Sequence, residues 1–117
     1  MLYSEAHFTS SELLVRPRNT FVLSGRGTSL DCRTNSTSTA ELSWKFTSAD
    51  GEEQTFIYND NGLNPAFSNR GISVNIDQTT RDYRLVFRVT DLNSAGTYTC
   101  QDGGGQAHGA WLAVLGQ

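Results

Sequence analysis

Few side chains in this 117-residue chain could do chemistry: two cysteines (Cys32, Cys100), two histidines (His7, His108), an acidic group Asp50, Glu52 and Glu53, and the glycines Gly103, Gly104 and Gly105. The cysteines lie 68 residues apart and allow either one disulfide or two reduced, buried thiols. A disulfide closing such a loop would remove roughly 4 kcal/mol worth of unfolded-chain freedom, and it would imply an oxidising compartment. No serine or thiol is placed by sequence beside either histidine. No H-x-x-x-H, C-x-x-C or paired-carboxylate pattern occurs, so metal, acid–base and nucleophilic chemistry all lack visible parts. Phosphate cradles set their glycines between a strand and a helix N-terminus. Here strands flank the glycines, no lysine follows and Asp102 adjoins them. The acidic group belongs to a hairpin loop and is expected to stay solvated. The expectations are therefore no enzyme activity, no cofactor and no metal.

Composition narrows the alternatives. One domain fits in 117 residues, long enough to bury a core without a metal. A formal charge of −3 argues against the basic patch that nucleic acid requires. No apolar run reaches bilayer length, so no membrane insertion is expected of this segment. Residues 1–10 begin with neither a basic start nor an apolar run. They are expected to be a tail or the start of a first strand, at a mature or recombinant N-terminus whose secretion signal has been removed. Residues 11–117 would form the single domain.

The elements that must position these residues are strands. Short alternating runs recur between turn residues, with no internal repeat and no sustained helical period. Leu13-Leu14-Val15 reads as an edge strand that Pro17 interrupts and Phe21-Val22-Leu23 resumes. On the next run Leu30 and Cys32 share one face while Ser29 and Asp31 meet water. Then Leu42, Trp44 and Phe46 point inward and Ser43, Lys45 and Thr47 outward. Asp50-Gly51 and Asn61-Gly62 are tight-turn pairs that bracket Gln54–Tyr58. Ile72, Val74 and Ile76 alternate, as do Leu85, Phe87 and Val89. Tyr98 and Cys100 share a face, and Trp111 to Leu115 closes the chain.

The order Cys32, Trp44, Tyr98-x-Cys100 resembles the immunoglobulin domain, and the resemblance covers nearly the whole chain. It implies an all-β, immunoglobulin-like β-sandwich of Greek-key topology. One inter-sheet disulfide would join Cys32 to Cys100, with Trp44 buried against it and Tyr98 making a tyrosine corner. Core positions would include Leu30, Leu85, Phe87 and Leu112. The extra hairpin between the Trp44 strand and the Ile72 strand is similar to the variable, or V-set, type. Departures are also legible. Arg70 fits the arginine that usually pairs with an acid six residues before the second cysteine, but Ser94 stands there; its hydroxyl is left as the acceptor. Gly109, Leu112 and Val114 match the end of a J-like strand, whereas Gln106 and Ala107 replace its Phe and first Gly. Lys45 and Thr47 occupy the positions of the tyrosine and glutamine through which antibody chains pair, so pairing in that manner is not implied.

The resemblance points to recognition rather than catalysis. If Leu112 and Val114 point inward, Trp111 faces out, and if Ile57 is core, Phe56 and Tyr58 face out on the same sheet. Thr99, Gln101 and Lys45 lie between them. The expected site is this outer sheet face, with Phe56, Tyr58 and Trp111 as anchors and Thr99, Gln101 and Lys45 as polar contacts. The partner would be a protein or a second copy in a homodimer. The setting would be an extracellular immune-type receptor, secreted or at the cell surface; such V domains also occur in invertebrate immune-type proteins. A homophilic adhesion module and a structural spacer are the alternatives. The loops at 34–39, 59–64 and 101–108 correspond to complementarity-determining loops, the third short and bare of anchors. Asn35-Ser36-Thr37 is an N-glycosylation sequon, making Asn35 a candidate glycan carrier on a secreted chain.

Overall fold

Strand formation follows the alternation of apolar and polar residues, since only a pleated strand sends every second side chain to one side. The computed structural model describes residues 12–35, 42–103 and 105–116. Its strands are β1 (Leu13–Val15), β2 (Thr20–Leu23), β3 (Thr28–Leu30), β4 (Arg33–Thr34), β5 (Ser43–Ser48), β6 (Gln54–Asn59), β7 (Gly62–Leu63), β8 (Ile72–Asp77), β9 (Asp82–Phe87), β10 (Gly96–Gln101) and β11 (Ala107–Leu115). A helical turn α1 (Pro65–Ser68) precedes β8, and a 3-10 turn, Leu92–Ser94, precedes β10. One sheet is ordered β1-β4-β9-β3, with β8 also pairing β9; the other runs β2-β11-β10-β5-β6-β7. The tail assigned to residues 1–10 lies outside the described residues, as do Ser36 and Thr37 of the sequon.

The two layers are joined at Cys32–Cys100, with Cα atoms 6.5 Å apart. Trp44 lies fully buried in the same core, its Nε1 donating to the carbonyl of Tyr83 at 3.0 Å. Leu30, Leu85, Phe87, Tyr98 and Leu112 are buried around it. Phe87 and Tyr98 meet edge-to-face at 5.0 Å, and Phe46 lies 5.1 Å from Tyr98. Each such ring contributes roughly 2–3 kcal/mol of burial.

Several readings change. The run through Pro17 is not one edge strand: β1 belongs to the first sheet and β2 to the second. Proline has no N–H to continue a ladder, so the chain crosses between layers there. Val89 lies beyond the end of β9 and is 44% exposed, and Ile76 is exposed near the end of β8. Tyr83, which carries no inward assignment from the sequence, is fully buried. The turn α1 is also new. Asn64 caps it by accepting from the Ala66 amide, Pro65 fills its first position, and Phe67 is laid into the core.

The stretch before Cys100 is held by its own polar bonds. Tyr98 donates its hydroxyl to the Ser94 carbonyl at 2.5 Å. Ser94 does not receive Arg70. Its hydroxyl accepts from the Asp91 amide in a capping box, while Arg70 donates to the Asn93 carbonyl at 3.2 Å and lies over the Phe67 ring. Gly96 is required by close approach, because a Cβ there would sit 2.5 Å from the Thr47 carbonyl oxygen. Gly96→Ala should therefore destabilise the domain by about 2–4 kcal/mol in urea titrations.

Burial pushes the Tyr98 phenol well above its ordinary value, partly offset by Arg70 and reinforced by Asp91. A raised folded value means this contribution to stability is complete below the unfolded phenol's value of about 10 and is lost as pH climbs above it. Alkaline unfolding monitored by near-ultraviolet circular dichroism should begin above about pH 10. Tyr98→Phe should lose stability at neutral pH and show a flatter alkaline limb.

Candidate protein-contact face

The outer face of the six-stranded sheet is set by β11. Ala110 and Leu112 are buried, so Trp111 points away from the core and is 40% exposed. The β10–β11 register runs unbroken from Gly96↔Leu112 to Gln101↔Ala107, so no bulge rotates Trp111 inward. Across the sheet, Thr99 pairs with Gly109 on one side and Lys45 on the other, and Lys45 faces Phe56. Gln101 pairs with Ser43. Thr99, Gln101, Lys45 and Phe56 therefore share the face with Trp111.

Tyr58 does not. The β5–β6 register shifts between Trp44 and Lys45, so Lys45 meets Phe56 while Trp44 meets Tyr58. Ile57 is the extra residue, wholly buried, and Tyr58 packs against the core with its ring 6.4 Å from Tyr83. The outward expectation for Tyr58 assumed an unbroken period of two, which the bulge breaks.

In its place the structure supplies Phe21. Its ring is 67% exposed and meets Trp111 edge-to-face at 4.9 Å. The parallel β2–β11 ladder sets Phe21 beside Ala113 and Leu23 beside Leu115, and both leucines are exposed. Asn19 fastens this edge by accepting from the Trp111 amide at 3.0 Å. Alternation around Val22 puts Phe21 and Leu23 on one side of their strand. Only the crossover at Pro17 places that strand beside Trp111.

Charge separates the two outer faces. Among the described residues, Lys45 is the one charged side chain at the outward positions of β2, β11, β10, β5 and β6, with Nζ 3.5 Å from the Gln54 amide oxygen. The opposite sheet carries the pairs Arg33–Asp82 at 3.0 Å and Arg84–Asp31 at 2.6 Å. Arg33 holds the Asp82 carboxyl below its usual range. That face is built to stay in water.

Described residues of the loop end are held by internal polar bonds. Asp102 is buried and accepts from the Thr34 hydroxyl; its amide bonds the Gln106 carbonyl, and the Gln106 side chain accepts from the Leu13 amide at 3.0 Å. The short third loop is thus anchored from inside. Thr34 and His108 belong to strands rather than loops. Asn35 is exposed, with its side-chain oxygen accepting from the Glu12 amide. Ser48 and the Glu52 amide hold the Asp50 carboxyl below its usual range, a turn-stabilising role. Among the described residues no group of three His, Cys, Asp or Glu could hold a metal, and no helix is long and apolar enough to cross a membrane.

The immunoglobulin V-set domain model matches residues 15–115. The chain belongs to the immunoglobulin V-set family. No curated protein matches it. Among solved structures, the first Ig domain of the mouse polymeric immunoglobulin receptor is similar at a TM-score of 0.71 and 20% identity, covering 92% of this chain and 95% of that one. Dpr1 IG1 bound to DIP-eta IG1 gives 0.70 and 15%, covering 94% and 100%. A complex of titin with obscurin-like 1 Ig gives 0.66 and 23%, covering 92% and 95%. These likenesses establish the fold. V-set domains are typically non-catalytic and often serve protein binding or adhesion.

The two tryptophans of this V-set domain differ sharply in exposure, Trp44 at 0% and Trp111 at 40%. Acrylamide should quench a red-shifted component assigned to Trp111. In Trp111→Phe the remaining emission should be blue-shifted and nearly unquenchable. Strong quenching of that variant would contradict the burial of Trp44.

Proposed function

We propose that this V-set domain is the non-enzymatic recognition unit of a secreted or cell-surface immune-type receptor, docking a protein partner through the outer face of its six-stranded sheet. One observation carries the reading: Phe21, Trp111, Leu23 and Leu115 form an exposed apolar strip along one edge of that face, with Phe56 exposed across it. Large rings left in water on one side of a small domain are the residue type that dominates interface energy. Thr99, Gln101 and Lys45 supply polar contacts between the anchors. The ion-paired opposite face supports the choice of sheet. A glycan on Asn35, next to β4 in the opposite sheet, would leave the strip clear.

A homophilic adhesion role is the second reading. It is favoured by the near absence of charge on the strip, which lets two copies meet without like-charge repulsion. Ig-to-Ig docking also occurs among the structural neighbours, where Dpr1 IG1 is bound to DIP-eta IG1.

Sedimentation equilibrium and staining of cell panels with tetramerised domain test the proposal. The double substitution Phe21→Ser, Trp111→Ser should keep the native circular-dichroism spectrum. It should weaken self-association or staining at least about tenfold. Wild type and double variant behaving alike, in both assays, would defeat the proposal and leave the spacer role.

A further inference from the structure

At the other edge of the same face, where β5 and β10 end beside the β6–β7 turn, lies an open cleft of about 480 Å³. Its walls carry Ser43, Phe56, Asn59, Asp60, Asn61 and Gln101. We propose that this cleft binds a neutral saccharide; it shares Phe56 and Gln101 with the proposed protein-contact face but lies away from Phe21 and Trp111.

The chemistry of the lining selects the ligand. Phe56 is 47% exposed and offers a flat apolar plate, the surface that the C–H face of a pyranose ring covers. Its backbone is fixed by the Asn64 side chain, which donates to the Phe56 carbonyl at 3.0 Å. Around the plate stand amides and a hydroxyl, groups that between them donate to and accept from vicinal hydroxyls. Asn59 holds the turn by accepting from the Asn61 amide at 2.9 Å, and Gly62 closes it at φ 96°. The side chains of Ser43, Asn61 and Gln101 make no hydrogen bond to the described residues, so contacts from them to a ligand would break no internal bond. On the far wall Asp102, beside Gly103, accepts from the Thr34 hydroxyl.

Charge excludes the main alternatives. Among the described residues no lysine, arginine or histidine lines the cleft, so nothing there would pair with an acidic sugar or a phosphate. The acidic groups do not amount to a metal cluster. Among the described residues the lining offers a plate with a polar rim, with no apolar hole for a peptide side chain.

The test is a heteronuclear NMR titration of the domain with glucose, galactose, mannose and N-acetylglucosamine, their short oligomers, and a sialoside as the anionic control. At least one neutral sugar should give saturable shifts at Phe56, Asn61, Gly62 and the Gln101 side-chain amide, with a Kd on the order of 1 mM or below. Phe56→Ala and Asn61→Ala should each weaken that binding at least about fivefold, and Phe56→Tyr should retain it. Trp111→Ser should leave it unchanged while losing cell staining, which separates failure of this site from failure of the protein-contact face. Absence of saturable shifts up to about 50 mM of every neutral sugar would overturn the proposal. So would tighter binding of the sialoside, or unchanged affinity in both Phe56→Ala and Asn61→Ala.

Discussion

Cys32 and Cys100 belong to opposite layers, and the bond between them holds those layers at the spacing into which Trp44, Tyr98 and Phe87 fit. Its effect falls mainly on the unfolded chain, where closing so long a loop removes conformations that folding would otherwise have to lose. The indole of Trp44 needs that constraint. Its N–H is deep in the core and finds its acceptor on Tyr83, on the layer opposite its own strand. With the layers splayed, the donor would lose its partner and the ring its neighbours together.

Once the core is set, the outer faces divide by composition. The five-stranded sheet turns crossed ion pairs to solvent, whereas the six-stranded sheet shows rings, leucines, threonines and amides with a lone lysine. The asymmetry matters because exposed cross-strand ion pairs add little stability while keeping a surface wet, and uncovered rings do the reverse. The proposed recognition accordingly uses the six-stranded face. That face has two chemistries: apolar at the β2–β11 edge, and amide-rich around Phe56 at the β6–β7 edge.

Ser94 shows how a departure from the family pattern is absorbed. Without an acid at that position, Arg70 turns to a backbone carbonyl and to the face of Phe67, and the serine hydroxyl caps the turn that Tyr98 closes. The corner keeps its geometry through short-range bonds where an ion pair is the usual device.

Alternation in the sequence determined that the chain is built of strands and that Trp111 turns outward. The resemblance of Cys32, Trp44 and Tyr98-x-Cys100 to the immunoglobulin pattern implied the sandwich, its disulfide and the buried tryptophan. Tertiary structure decided what alternation cannot reach. A bulge between Trp44 and Lys45 turned Tyr58 inward, and a crossover at Pro17 brought Phe21 beside Trp111. Burial made Asp102 an internal anchor instead of a loop charge. Bulges, crossovers and long-range polar partners depend on which strands become neighbours, and neighbours far apart in the chain leave no periodic mark in it.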